Sequence, residues 1–185
     1  MNRIFVIRHA EKPDGSDRGV DQTGAADSES LSVRGWQRAG ALAVFFGSAD
    51  GLPAPDRIYA AAPEKHVKRR EGDVGSKSDR PSETVAPLAG KVGQNVIEKF
   101  AKGQEADLVA ELKKSQGTSL VCWQHEAIPE IAKLITENAK SIPDPWPGHR
   151  FDVVWRFVQS AGGAPWVFDQ VCQRVLAGDE STAIP

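Results

Sequence analysis

The first apolar run in the chain is short. Residues 4–7 are Ile, Phe, Val and Ile; the run stops at Arg8 and His9, and charged residues and Pro13 follow. A run this rich in β-branched and aromatic residues predicts a buried strand over 3–8. Residues 11–30 are polar and carry Gly15, Gly19 and Gly24, which predicts a loop. From Leu31 the period changes. Trp36, Ala39, Leu42, Ala43 and Phe46 recur at helical spacing up to Gly47, with Ser32 placed as N-cap. Residues 57–61 (RIYAA) predict a second short strand. Residues 63–79 are charged, lack an apolar period and read as an exposed excursion. Pro81 then opens a helix whose apolar face holds Val85, Leu88 and Ala89. The stretch around residue 97 (QNVIEKF) is ambiguous. A helix over 104–114 leads into a strand at 118–124 (TSLVCWQ), and a second helix runs over 128–138. After a proline-rich loop (SIPDPWPGHR), residues 151–158 and 165–176 predict two strands joined as a hairpin by QSAGGA.

Strands alternating with helices imply a three-layer α/β/α sandwich around a mainly parallel sheet, with the closing hairpin as an antiparallel edge. Ligands of such sheets bind at the carboxyl ends of the strands. Arg8 and His9 end the first strand, and Gln124, His125 and Glu126 end another, so two strands deliver histidines to the edge where chemistry is usually done.

Composition narrows the reading. With 185 residues, 40% hydrophobic and 26% charged, the chain suits one domain, 1–185, with a proper core. A formal net charge of -2 argues against nucleic acid as the main partner, since phosphate-backbone binders carry a basic excess. No apolar stretch approaches the roughly 20 residues of a membrane span, and no signal-peptide pattern precedes the first strand. A cytoplasmic protein without a membrane partner is expected. Cys122 and Cys172 are far apart in apolar runs and read as reduced thiols.

Several chemistries are absent by motif. There is no GxxxxGK[ST], GxGxxG or GxSxG. Neither cysteine has an arginine six positions later. His125 and Glu126 begin like HExxH, but position 129 is proline, so no metal site is expected. What remains is cationic and imidazole. Arg8 offers a planar fork for two phosphoryl oxygens. His9 has an ordinary pKa near neutrality and is available as a nucleophile. His125 is a second donor, and Arg80 sits at a helix start, where anions are favoured. Each signal alone also fits a bland role at a solvated strand or helix end; their joint placement points to phosphate.

Four blocks resemble the histidine phosphatase superfamily, the phosphoglycerate mutase-like fold. IRHAEKP resembles its nucleophile motif at the end of the first strand. LSVRGWQRAGAL, from Leu31, resembles its L[ST]xxGxxQA helix start. RPSETVAPLA, from Arg80, resembles its second-arginine helix, and VCWQHEAIPEIA resembles its second-histidine block. The blocks come in family order and span most of the chain. The second-arginine block departs from the pattern: after AAAP at residues 60–63, 16 residues intervene before Arg80, with Arg69 and Arg70 as competitors nearer the strand. The resemblance implies phosphoryl transfer through a phosphohistidine on His9, with Arg8, Arg80 and His125 holding the equatorial oxygens. It implies a phosphatase for a phosphate monoester or phosphoramidate, acting on a small phosphorylated substrate or a phosphopeptide, with no cofactor and no metal. A mutase or a silent phosphate-binding protein is the alternative. The proton donor is Glu126 or Glu83, with Glu126 preferred. Lys12, the 11–30 loop and the proline-rich PDPWPGHR segment are expected to border the pocket. Trp123 and Trp146 would either stack on an organic leaving group or pack in the core.

Overall fold

The computed structural model describes residues 1–66, 76–137, 140 and 142–185. The elements follow in the order β1 (Asn2–Arg8), α1 (Val33–Phe45), β2 (Arg57–Ala60), α2 (Arg80–Val92), β3 (Val96–Ile97), α3 (Glu105–Lys114), β4 (Thr118–Trp123), α4 (Ile128–Thr136), β5 (Val153–Gln159) and β6 (Val167–Cys172). The described strands form one sheet in the order β3-β2-β4-β1-β5-β6. β1 pairs in parallel with β4, β4 with β2 and β2 with β3. β5 and β6 close the other side in antiparallel fashion. This is the expected mainly parallel sheet with an antiparallel edge.

Strand alternation makes the three layers. Ile4 and Val6 of β1, with Val121 and Trp123 of β4, face a core built on Leu108, Leu112, Ile128 and Ile131 of α3 and α4. Phe5, Ile7, Leu120 and Cys122 face the opposite core, built on Leu42 and Phe46 of α1 and its end and on Val85 and Leu88 of α2. β1 and β4 are therefore buried on both faces, which is why they read as continuous apolar runs.

The helix starts follow local chemistry. The Ser32 hydroxyl accepts from Gly35 N at 3.2 Å, as an N-cap should. A Cβ at Gly35 would lie 2.4 Å from the Glu11 carbonyl oxygen, so only glycine lets α1 lie against the chain just beyond His9. Pro81 stands in the first turn of α2, and Gly93 ends that helix in the left-handed region.

The structure moves some boundaries. The ambiguous stretch contains the two-residue strand β3. α4 stops at Thr136 because Glu137 turns left-handed, at φ 55°; Asn138 lies outside the described residues. The last strand ends at Cys172 rather than 176, because Gln173 is buried and bonds to Arg38 and Arg174 is left-handed. The excursion is not wholly exposed: Pro63 and Ser78 are buried, and Arg69 and Arg70 lie outside the described residues. Cys122 and Cys172 are free thiols. Among the described residues no helix is long and apolar enough to cross a membrane.

Candidate active site

β1 and β4 are adjacent and parallel, with Arg8 opposite Trp123. The residues that follow each strand therefore emerge side by side. His9 N donates to the Trp123 carbonyl at 3.1 Å, carrying the pairing one residue past the strand. The sheet thus brings Arg8, His9, Gln124, His125 and Glu126 to one edge. Together with Lys12, Ser76, Ser78 and Arg80 they line a cavity of about 150 Å³. Arg8, His9, Arg80, His125 and the preferred proton donor Glu126 all border this one cavity.

His9 is 5% exposed. Its Nδ1 lies 2.7 Å from the Ala10 carbonyl oxygen. A carbonyl only accepts, so Nδ1 carries the proton and Nε2 keeps its lone pair. Burial lowers the imidazole from its ordinary value of 6.5 to about 3; the Ala10 carbonyl opposes this shift, and Arg8, Arg80 and His125 add to it. His9 is therefore neutral at pH 7.

Arg8 is 2% exposed. One Nη donates to the Gly148 carbonyl at 2.5 Å, and its guanidinium carbon lies 3.8 Å from the Phe151 ring centroid. Burial lowers it to about 10, with Glu126 and Glu11 opposing, so it remains a cation. Its Nε has no hydrogen-bond partner among the described residues. Arg80 is held by the loop before α1, with Nε donating to Ser30 O at 3.1 Å and an Nη to Ser28 O at 2.5 Å. Thr84, one turn on, is fully buried. Its hydroxyl accepts from Ala10 N at 2.8 Å and donates to Arg80 O at 2.7 Å. One side chain thus ties the α2 start to the residue after His9.

The two carboxylate candidates sit differently. Glu83 accepts from the Ser30 hydroxyl at 2.7 Å and from Leu31 N at 2.8 Å; burial raises its pKa against those two bonds. It docks the α1 entry onto α2 and does not line the cavity. Glu126 lines the cavity. The adjacent His125 ring, 3.0 Å from Nδ1 to Oε2, and the Lys102 ammonium at 2.5 Å hold its carboxyl well below the usual range, against partial burial. His125 Nδ1 is close to that carboxylate but not aligned for a hydrogen bond with it.

Trp123 does not border the cavity. It is fully buried on the α3–α4 side, where its Nε1 donates to Glu105 Oε1 at 2.9 Å. Trp146 is buried too, against Trp155 with ring centroids 4.8 Å apart. The aromatic side chain beside Arg8 and His9 is Phe151. Position within a strand gave Trp123 to the core face; Phe151, expected as the first residue of the strand 151–158, lies instead in the loop before β5, which begins at Val153.

A second ring of bonds supports the cavity. Arg38 of α1 is 2% exposed and binds Glu11 through Nε and Nη2 and Asp179 through both Nη atoms. Arg150 binds Asp152 at 2.8 Å and the Thr182 carbonyl at 2.7 Å. Among the described residues no group of three His, Cys, Asp or Glu side chains is placed to hold a metal ion.

No protein-family model and no curated protein matches the chain. Solved structures do. The protein histidine phosphatase SixA complexed with tungstate is 11% identical, covering 92% of this chain and 97% of that one, with a TM-score of 0.57. A mycobacterial glucosyl-3-phosphoglycerate phosphatase in complex with VO3 is 14% identical over 91% and 98%, at 0.53. The phosphoserine phosphatase of Entamoeba histolytica, as a mutant with phosphoserine, is 16% identical over 91% and 95%, at 0.52. The chain has the α/β/α fold of these phosphatases.

Proposed function

We propose that the protein is a phosphatase that hydrolyses a phosphate monoester or a phosphoramidate through a phosphohistidine on His9. The observation that carries this reading is the neutral His9 ring. Its Nδ1 is fixed on a backbone carbonyl, and it sits in a small cavity that also takes Arg8, Arg80 and His125. His9 Nε2 attacks phosphorus, the bond to the leaving oxygen or nitrogen breaks, and the leaving atom takes a proton. Water then attacks the phosphohistidine, the P–N bond breaks, and the proton of water passes to a base. The cations stabilise the charge on the equatorial oxygens in both steps.

Glu126 fits the proton transfers better than Glu83, since it borders the cavity. As the carboxylate it already is, it suits the base of the second step. For the first step it must be protonated, and a bound phosphoryl group raises its pKa by like-charge repulsion. A larger cavity, of about 310 Å³, shares Lys12 and adds Ser32, Arg34, His149 and Phe151; it is the place for the leaving group. The mutase and silent-site readings gain no specific support.

The test is a labelled substrate. Phosphorylated protein should accumulate in a rapid quench, with the label acid-labile and alkali-stable. His9→Ala should lower turnover on the order of 10⁴-fold or more, as nucleophile removal does elsewhere. Robust turnover by a folded His9→Ala protein would overturn the mechanism.

A further inference from the structure

Gln124 has no task in the reading above. It follows β4 directly and precedes His125. It is 6% exposed and lines the His9 cavity. Among the described residues neither its Nε2 nor its Oε1 has a hydrogen-bond partner, although its backbone carbonyl accepts from Ala127 N at 3.1 Å. A buried polar group left unpaired carries its full desolvation penalty, and native interiors seldom keep one. Two on one side chain, both beside the reacting centre, call for a ligand. Packing does not require a polar residue here, since Cys122 and Trp123 just before it are buried in apolar surroundings.

The chemistry of the wall says which ligand. Arg8, Arg80 and Lys12 only donate hydrogen bonds. A fully ionised tetrahedral anion only accepts, so it would satisfy them and Gln124 Nε2 but leave Oε1 unpaired. A ligand that also carries a hydrogen satisfies both ends of the carboxamide. We infer that Gln124 is a specificity-determining ligand of this cavity: Nε2 donates to an oxygen of the bound phosphoryl group, and Oε1 accepts from a P–OH. The consequence is selection of a protonated oxyanion over an unprotonated one of the same shape and charge. Hydrogen phosphate and sulfate are such a pair at neutral pH. This inference rests on the phosphoryl-transfer reading of the same cavity.

Titration calorimetry with inorganic phosphate and with sulfate, at one ionic strength and at pH 7.5, tests it. The wild-type protein should prefer phosphate by roughly tenfold, the worth of one hydrogen bond to a charged group. Gln124→Met, of similar length and without polar ends, should bring the two affinities together while weakening both. Its melting temperature without anion should not fall, because the unpaired groups are gone. Gln124→Glu accepts but cannot donate; it should bind both anions less well and keep the preference for phosphate. An unchanged preference in Gln124→Met, or its loss in Gln124→Glu, would overturn the role of Gln124 and leave the phosphatase reading standing. Failure of the wild-type protein to bind phosphate would remove the phosphoryl site itself, and this inference with it.

Discussion

His9 makes the link between burial and reactivity measurable. Its folded-state pKa of about 3 lies below the ordinary 6.5. The folded protein therefore stays unprotonated there while the unfolded chain takes up a proton. The contribution to stability is full above about pH 6.5 and is lost as pH falls from there toward 3, at about 1.4 kcal/mol per unit for one proton. Urea denaturation at pH 7.5 and pH 5 reads this directly. His9→Asn should lose less stability than wild type over that interval, by about 2 kcal/mol. Equal losses would mean that the ring titrates as if exposed. At Arg80 the question is which cation serves the anion. Arg80 lines the cavity and is held on two carbonyls, so Arg80→Ala should cost about 3–4 kcal/mol of transition-state stabilisation. Arg69→Ala and Arg70→Ala should leave kcat/KM near wild type. A large loss at either would assign the second clamp to the charged segment instead.

Among the elements, α2 carries the most consequence for its length. Its first turn presents Arg80, fixes Ala10 through Thr84 and receives the α1 entry through Glu83. Thr84→Val keeps the volume and removes both hydroxyl bonds. It should destabilise the protein by about 1–3 kcal/mol, since Ala10 N loses its partner in a dry site. It should also lower kcat more than it raises KM; a stability loss with unchanged kcat would reduce Thr84 to a packing residue. Most of the elements were legible in the sequence because their signals are local. β1 and β4 are continuous apolar runs, α1 has its serine cap, and α2 has its proline and its i, i+3, i+4 apolar face. β3 was not, because two residues cannot show a period and its place is fixed by pairing with β2. Of the cavity, the motif residues Arg8, His9, Arg80, His125 and Glu126, with Lys12, were expected there. Gln124 was placed at that edge without a role, and Ser76 and Ser78 were not expected, since nothing in their spacing marks a wall that exists only after the sheet has formed. Trp123 was offered two roles by its ring, and the face of β4 on which it lies settled the matter for the core.

At the scale of the molecule, the cavity depends on residues from both ends of the chain. Glu11 follows His9, Arg38 lies in α1 and Asp179 follows the last strand, and the buried guanidinium joins all three. Arg38→Ala would leave Asp179 without its guanidinium and Glu11 with only the more exposed Arg34, 3.3 Å away. It should destabilise the fold by roughly 3–5 kcal/mol, the range for breaking a buried ion pair from one side, measured by urea denaturation at pH 7. A loss below 1 kcal/mol would show that water replaces the guanidinium at no cost. Arg150 makes a parallel connection: its side chain holds the Thr182 carbonyl, while its own carbonyl, with that of Gly148, meets Arg8. This arrangement has a consequence for the timing of synthesis. β1 and the histidine that follows it leave the ribosome before α1 and well before β6. The clasp on Arg38 and Arg150 must wait for residues 179–182, which are translated long after both arginines. A nascent chain therefore carries an unfinished pocket until those residues have emerged and folded back, and the clasp is complete only then.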